Sequence, residues 1–98
     1  MTFLVFCAFD LKKASSADYN NAYSDLQAIG LSKVHVSGQG LKVTLPTISV
    51  MGRFEGVDSA AVRDEVRNKI KGLFSQRRFK SDIFITVGTD WAWGVTTT

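Results

Sequence analysis

The stretch FLVFCAFDLKK, residues 3 to 13, sets the reading of the whole chain: an apolar run of strand-forming residues ends in a carboxylate, Asp10, and two lysines follow at once. Aspartate is depleted in strands, so at the tip of a buried strand it is either a turn residue or a working group. The run has no basic segment before it and no small-residue cleavage site after it, so Met1 to Phe9 reads as a strand rather than a secretory signal. That favours the cytoplasm. Cys7, the single cysteine, sits inside this strand, where a free thiol behaves as a small hydrophobe.

Outward from that strand, the 98 residues form one domain with room for one modest core. No apolar run approaches the roughly 18 residues of a membrane span. Behind the lysines, Ser15 and Asp18 have capping-box spacing, and Tyr19, Ala22, Tyr23, Leu26 and Ile29 fall three or four apart up to Gly30. This pattern predicts an amphipathic helix with a left-handed glycine stop. KVHV follows as a second strand, SGQG as a hairpin tip, and LKVTLP as an extended arm that Pro46 interrupts. ISVMGRF reads as the third strand. The next helix is capped by Asp58 or Ser59 and carries Val62, Val66, Ile70 and Leu73 as its buried stripe. IFITVG is the fourth strand, and residues 91–98 are a tail that adds a short C-terminal strand, lies on an edge, or crosses to a second subunit.

The order β-α-β-β-α-β predicts an α+β, ferredoxin-like fold: a four-stranded antiparallel sheet in the order 4-1-3-2, with two helices on one face. The first strand is then central, and its C-terminal end lies beside the starts of the third and fourth strands. Three distant segments therefore gather at one end of the sheet: Asp10 with Lys12 and Lys13, Thr47 to Ser49, and Arg77 to Asp82.

Charge sharpens that expectation. Residues 63–80 hold seven bases against two acids, a local excess of five within a total of +3, so the rest of the chain is net acidic. Such a stripe suits a phosphate-rich partner, although a solvated helix face has the same composition. The one histidine, His35, lies in a strand, and SGQG joins two strands without opening a helix, so neither a catalytic triad nor a phosphate loop can be assembled. For Asp10 two readings stand side by side. It terminates the strand and pairs with Lys12 or Arg78; or two copies meet across a dimer axis and share a magnesium or manganese ion that activates water against a phosphodiester. Trp91 and Trp93 fall on one face of an extended tail, placed to stack on bases or to pack against the sheet or a partner subunit.

FLVFCAFDL, the capped helix SADYNNAYSDLQAIGL and TISVMGRFEG before the second helix together resemble the small ferredoxin-like nuclease superfamily. That group holds the virulence-associated D proteins, the small subunit of CRISPR spacer acquisition and the GhoS-type endoribonuclease antitoxins. The shared motifs are Phe9-Asp10, Ala22-Tyr23 with Asp25-Leu26, and Ser49-Val50. The resemblance implies that Asp10 ligates metal or acts in cleavage and that Ser49 supports it. Where GhoS-type proteins carry basic residues on the first helix, this chain has Asp25 and Gln27. The expectation is a homodimer that binds RNA or DNA through Lys12, Lys13, Arg77, Arg78 and Lys80 and cleaves RNA with metal assistance. The alternative is a non-catalytic module that binds nucleic acid or a toxin or antitoxin partner.

Overall fold

In the computed structural model, which describes residues 1–98, the opening stretch is a strand with two different faces. Along β1 (Thr2–Leu11) the side chains of Phe3, Val5, Cys7, Phe9 and Leu11 are buried, while those between them are more exposed. Successive strand residues point to opposite sides, so one side of β1 is core and the other is only partly covered. Burial pushes the Cys7 thiol up to about 11, which keeps it protonated and makes it a packing group.

Two helices supply the covering layer. α1 (Ser16–Ala28) begins with the full capping box: Asp18 N–H donates to Ser15 Oγ at 3.2 Å, and Ser15 N–H donates to Asp18 Oδ2 at 3.0 Å. It buries Ala22 and Leu26, with Tyr19, Tyr23 and Ile29 partly buried against the core. α2 (Ser59–Gln76) is capped by Asp58, whose Oδ1 accepts from Ala61 N–H at 2.7 Å. Its buried stripe is Val62, Val66, Ile70 and Phe74. The expected Leu73 is only half-buried, because the stripe closes on an i+4 step that brings Phe74 against Phe9 and Phe79.

The sheet has the predicted centre and a different margin. β4 (Ser49–Glu55), β1 and β5 (Ser81–Gly88) form a three-stranded antiparallel sheet in the order β4-β1-β5. The single four-stranded sheet is absent: β2 (Val34–Val36) and β3 (Lys42–Thr44) form their own hairpin, joined to the main sheet by one bridge between Ser32 and Met51. The cause is local. Gly30, at φ 98°, turns the chain so that its carbonyl lies against Gly52, where a Cβ would collide with it. The hairpin departs from the β4 edge just beyond that contact, and Leu45 N–H bonds instead to the Lys33 carbonyl at 2.7 Å. The tail forms no strand; it packs back on its own chain, with Trp91 beside Arg53 and Trp93 beside His35. No helix is long and apolar enough to cross a membrane.

Candidate nucleic-acid interface

One end of the sheet is organised by two tyrosines of α1. The Tyr19 hydroxyl accepts the Leu11 N–H at 3.0 Å and has two acceptors within reach for its own proton, Asp10 Oδ1 at 3.0 Å and the Leu11 carbonyl at 3.2 Å. Four residues on, the Tyr23 hydroxyl accepts the Ile48 N–H at 3.1 Å. Ile48 sits at φ 66°, a left-handed conformation uncommon for a β-branched residue. Its carbonyl then takes the Phe9 N–H at 3.2 Å, so Tyr23 and β1 hold the start of β4 from both sides. Beneath them the Phe9 ring packs on Tyr19, Tyr23 and Phe74 with centroids 6.3, 5.6 and 5.7 Å away. Edge-to-face and stacked contacts of this kind stabilise by about 0.5 to 1.5 kcal/mol each beyond burial.

On that base the segments separated in sequence converge. Ala8 stands opposite Ser49, Asp10 opposite Asp82 and Leu11 opposite Ser81, and Lys12 N–H donates to the Lys80 carbonyl at 2.8 Å. Lys12, Lys13, Arg77, Arg78 and Lys80 together line one cleft of about 530 Å³, with Asp18 as its only acid. Lys13 and Arg78 both have positive φ, 51° and 60°, as the turns on either side of the cleft require.

The five bases are not equivalent. Arg77 grips Asp25 of α1 with both arms of its guanidinium, Nε to Oδ2 at 2.6 Å and a terminal nitrogen to Oδ1 at 3.0 Å. That hydrogen bond holds the Asp25 carboxyl below the usual carboxylate range and the guanidinium above its own, so Arg77 fastens α1 to the end of α2. Lys12 reaches Asp82 at 3.5 Å. Lys13, Arg78 and Lys80 make no ion pair and complete the cleft wall.

The two residues singled out for chemistry lie outside the cleft. Asp10 is exposed, on the opposite side of β1 from the buried Leu11, and its partner is the Tyr19 hydroxyl rather than Lys12 or Arg78. Ser49 is only 7% exposed, and its Oγ donates to the Pro46 carbonyl at 2.7 Å, closing the loop that leads into β4. For a magnesium or manganese ion the chain offers Asp10 and, directly opposite it, Asp82. No group of three or more histidine, cysteine, aspartate or glutamate side chains gathers anywhere in the protein. Two carboxylates fit an ion that completes its octahedron with water and substrate phosphate.

Sequence reasoning missed the Arg77–Asp25 clamp, the Tyr19 hydroxyl and the Asp82 carboxylate facing Asp10. A signal existed for the tyrosines: a half-buried Tyr at the end of a helix stripe needs a polar partner for its hydroxyl, and the strand end supplies one. No protein-family model matches the chain, and no curated protein matches it.

Proposed function

We propose that this protein binds the sugar-phosphate backbone of a nucleic acid, RNA foremost, in the basic cleft at the end of β1. The observation that carries the reading is the convergence of two short segments, residues 12–13 and 77–80, as five basic side chains around one cleft with a single acid. Charge on a helix face alone would scatter over the surface. Here Lys13, Arg78 and Lys80 present ammonium and guanidinium groups to whatever enters.

In this reading the protein works as a homodimer, and Asp10 with Asp82 forms the cleavage centre beside the cleft. Asp10 and Asp82 would hold a divalent ion there, which would supply Lewis-acid and water-activating chemistry for phosphodiester cleavage. The protein's own groups hold the strand: the cleft bases fix its phosphates, and Tyr19 fixes the Asp10 carboxylate through its hydroxyl. Ser49 then serves as a positioning residue for the β4 loop. The second reading is a binding module without cleavage, acting on nucleic acid or on a toxin or antitoxin partner. It is favoured by the occupation of Asp10 by Tyr19 and of Asp82 by Lys12.

Fluorescence anisotropy with a labelled single-stranded RNA tests the binding. Affinity should fall steeply with salt, and replacing Lys13 and Arg78 by alanine should flatten the log–log slope by about 1.4, some 0.7 for each phosphate that is no longer neutralised. An unchanged slope would place the RNA on another surface. Incubation of the same RNA with magnesium, manganese or EDTA, with Asp10→Asn alongside, separates the two readings. Metal-dependent cutting that the variant lacks supports the nuclease, and binding without cutting supports the module.

A further inference from the structure

We infer that the outer edge of β5, together with the row Arg63, Arg67 and Lys71 on α2, is a docking site for an acidic extended peptide that adds to the sheet as a further strand. This inference does not rest on the nucleic-acid reading, since the ligand differs and the docking edge shares only the β5 strand that carries Asp82 with the proposed cleavage centre.

β5 is the last strand of the order β4-β1-β5, so one side of its backbone has no partner strand along eight residues. Edge strands in soluble proteins are ordinarily blunted by lysine, proline, a bulge or a covering loop. The residues of β5, SDIFITVG, include neither lysine nor proline, and the tail leaves the strand to pack elsewhere. Ile83 and Ile85, which face the helices, are only half-buried, and Phe84 on the other side is 65% exposed. The seam between α2 and β5 is thus an open apolar groove of about 320 Å³, and Arg63, Arg67 and Lys71 form its far wall.

The wall identifies the occupant. Arg63, Arg67 and Lys71 are four residues apart on one helix, hence about 6 Å from one to the next along its axis. Side chains on one face of a strand recur every two residues, about 6.7 Å apart. A strand added beside β5 would therefore present every second side chain at nearly the pitch of the three bases. Arg63 and Arg67 share Asp64, which leaves the row an excess of two positive charges for acids to meet. On the other side of the added strand the intervening side chains would lie next to Phe84, which calls for apolar residues there. The matching segment is one in which acidic and apolar residues alternate, bound by main-chain hydrogen bonds and sorted by its side chains.

A second copy of this chain suits the edge poorly. Two β5 edges paired antiparallel about a two-fold axis would bring the two basic rows toward each other, and like charges opposed in that way destabilise the pairing. A single-stranded nucleic acid would satisfy the basic row and could stack a base on Phe84, but it would leave the β5 backbone edge without matching donors and acceptors in register.

The test uses the whole protein, isotope-labelled, with three synthetic decapeptides: alternating Glu and Val, alternating Lys and Val, and the Glu/Val peptide with a central proline. The Glu/Val peptide should bind, protect β5 amides from hydrogen exchange, and lose at least tenfold in affinity against Arg67→Glu. Arg67 is half-exposed on the helix surface, and circular dichroism of that variant should match the wild type. The Lys/Val and proline peptides should bind at least tenfold more weakly. Equal binding of the Glu/Val and Lys/Val peptides, no Glu/Val binding at millimolar concentration, or protection confined to other strands would each overturn the inference. So would β5 protection that rises with protein concentration alone, which assigns the edge to a second copy. A single-stranded RNA that protects β5 where the Glu/Val peptide does not would overturn it as well.

Discussion

The two faces of β1 differ in composition and in cover: Phe3, Val5, Cys7, Phe9 and Leu11 form a wholly apolar side, while Thr2, Leu4, Phe6, Ala8 and Asp10 form a mixed one. Phe3, Val5, Cys7, Phe9 and Leu11 are at most 5% exposed beneath the two helices. On the other side, Phe6, Ala8 and Asp10 lie between Met51 and Ser49 of β4 and Thr86, Phe84 and Asp82 of β5, with only the tail and hairpin arm partly over them. Burial here follows both from what the rest of the chain places over the strand and from the strand's own pattern, since its most exposed positions are Thr2 and Asp10 while Leu4 and Phe6 remain half-buried. The helix-covered face holds the fold, and the end and edge of the open layer are where polar and charged groups collect.

The largest test of that contrast is truncation. Ile70→Ala, under the helix layer, should cost about 2 to 5 kcal/mol in urea unfolding. Phe84→Ala, on the open side, should stay within about 0.5 kcal/mol of wild type, as exposed substitutions do. Comparable losses at both sites would mean that the open face is covered in solution. Next in size is Gly52→Ala, whose new methyl would meet the Gly30 carbonyl. Overpacking of this kind costs about 1 to 3 kcal/mol, and the same substitution at Gly88, which has open space around it, should be far milder.

Smaller still is Tyr19→Phe, which leaves the Leu11 N–H without its acceptor and should lower stability by about 1 kcal/mol. It should also quicken hydrogen exchange at Leu11, a readout that separates loss of the hydrogen bond from loss of packing. The smallest effect belongs to the Arg77–Asp25 clamp, which is partly exposed and screened by solvent. Because the folded carboxyl lies below its ordinary value, the clamp stabilises above the unfolded pKa of about 3.9 and is lost as pH falls through the depressed one. Asp25→Asn should lower stability at neutral pH and flatten the fall below about pH 4. A parallel acid limb in both proteins would assign that limb to other carboxylates.

How much of this the sequence revealed depends on the range of the interaction. Ser15 with Asp18, Asp58, the stripe through Leu26 and the one through Ile70 are local signals, and each is where its spacing puts it. The meeting of residues 10–13 with residues 77–82 followed from strand order alone, since order fixes which ends adjoin. What could not be read were choices made in three dimensions. Whether Arg77 turns to Asp25 or to the cleft depends on how α1 and α2 pack, and 52 positions separate the two residues. The close approach of Gly30 to Gly52 at the root of the separate β2–β3 hairpin is a tertiary contact that no strand propensity encodes. Ser49 looked available as a polar group in a strand, but the turn at Pro46 takes its hydroxyl.

The central position of β1 also bears on how the chain is made. Synthesis delivers this strand first, yet its partners, β4 and β5, begin 38 and 70 residues after its last residue. Pairings that span so much sequence close slowly, because the loop entropy is lost before any contact compensates it. The apolar face of β1 therefore waits while the next 37 residues are made before β4 begins, during which α1 is the first helix able to shelter it. The Tyr19 and Phe9 contact, made across ten residues of sequence, gives the nascent chain an early local shelter before the sheet exists. Variants that loosen that contact should show their defect in yield from the ribosome sooner than in the stability of the finished protein.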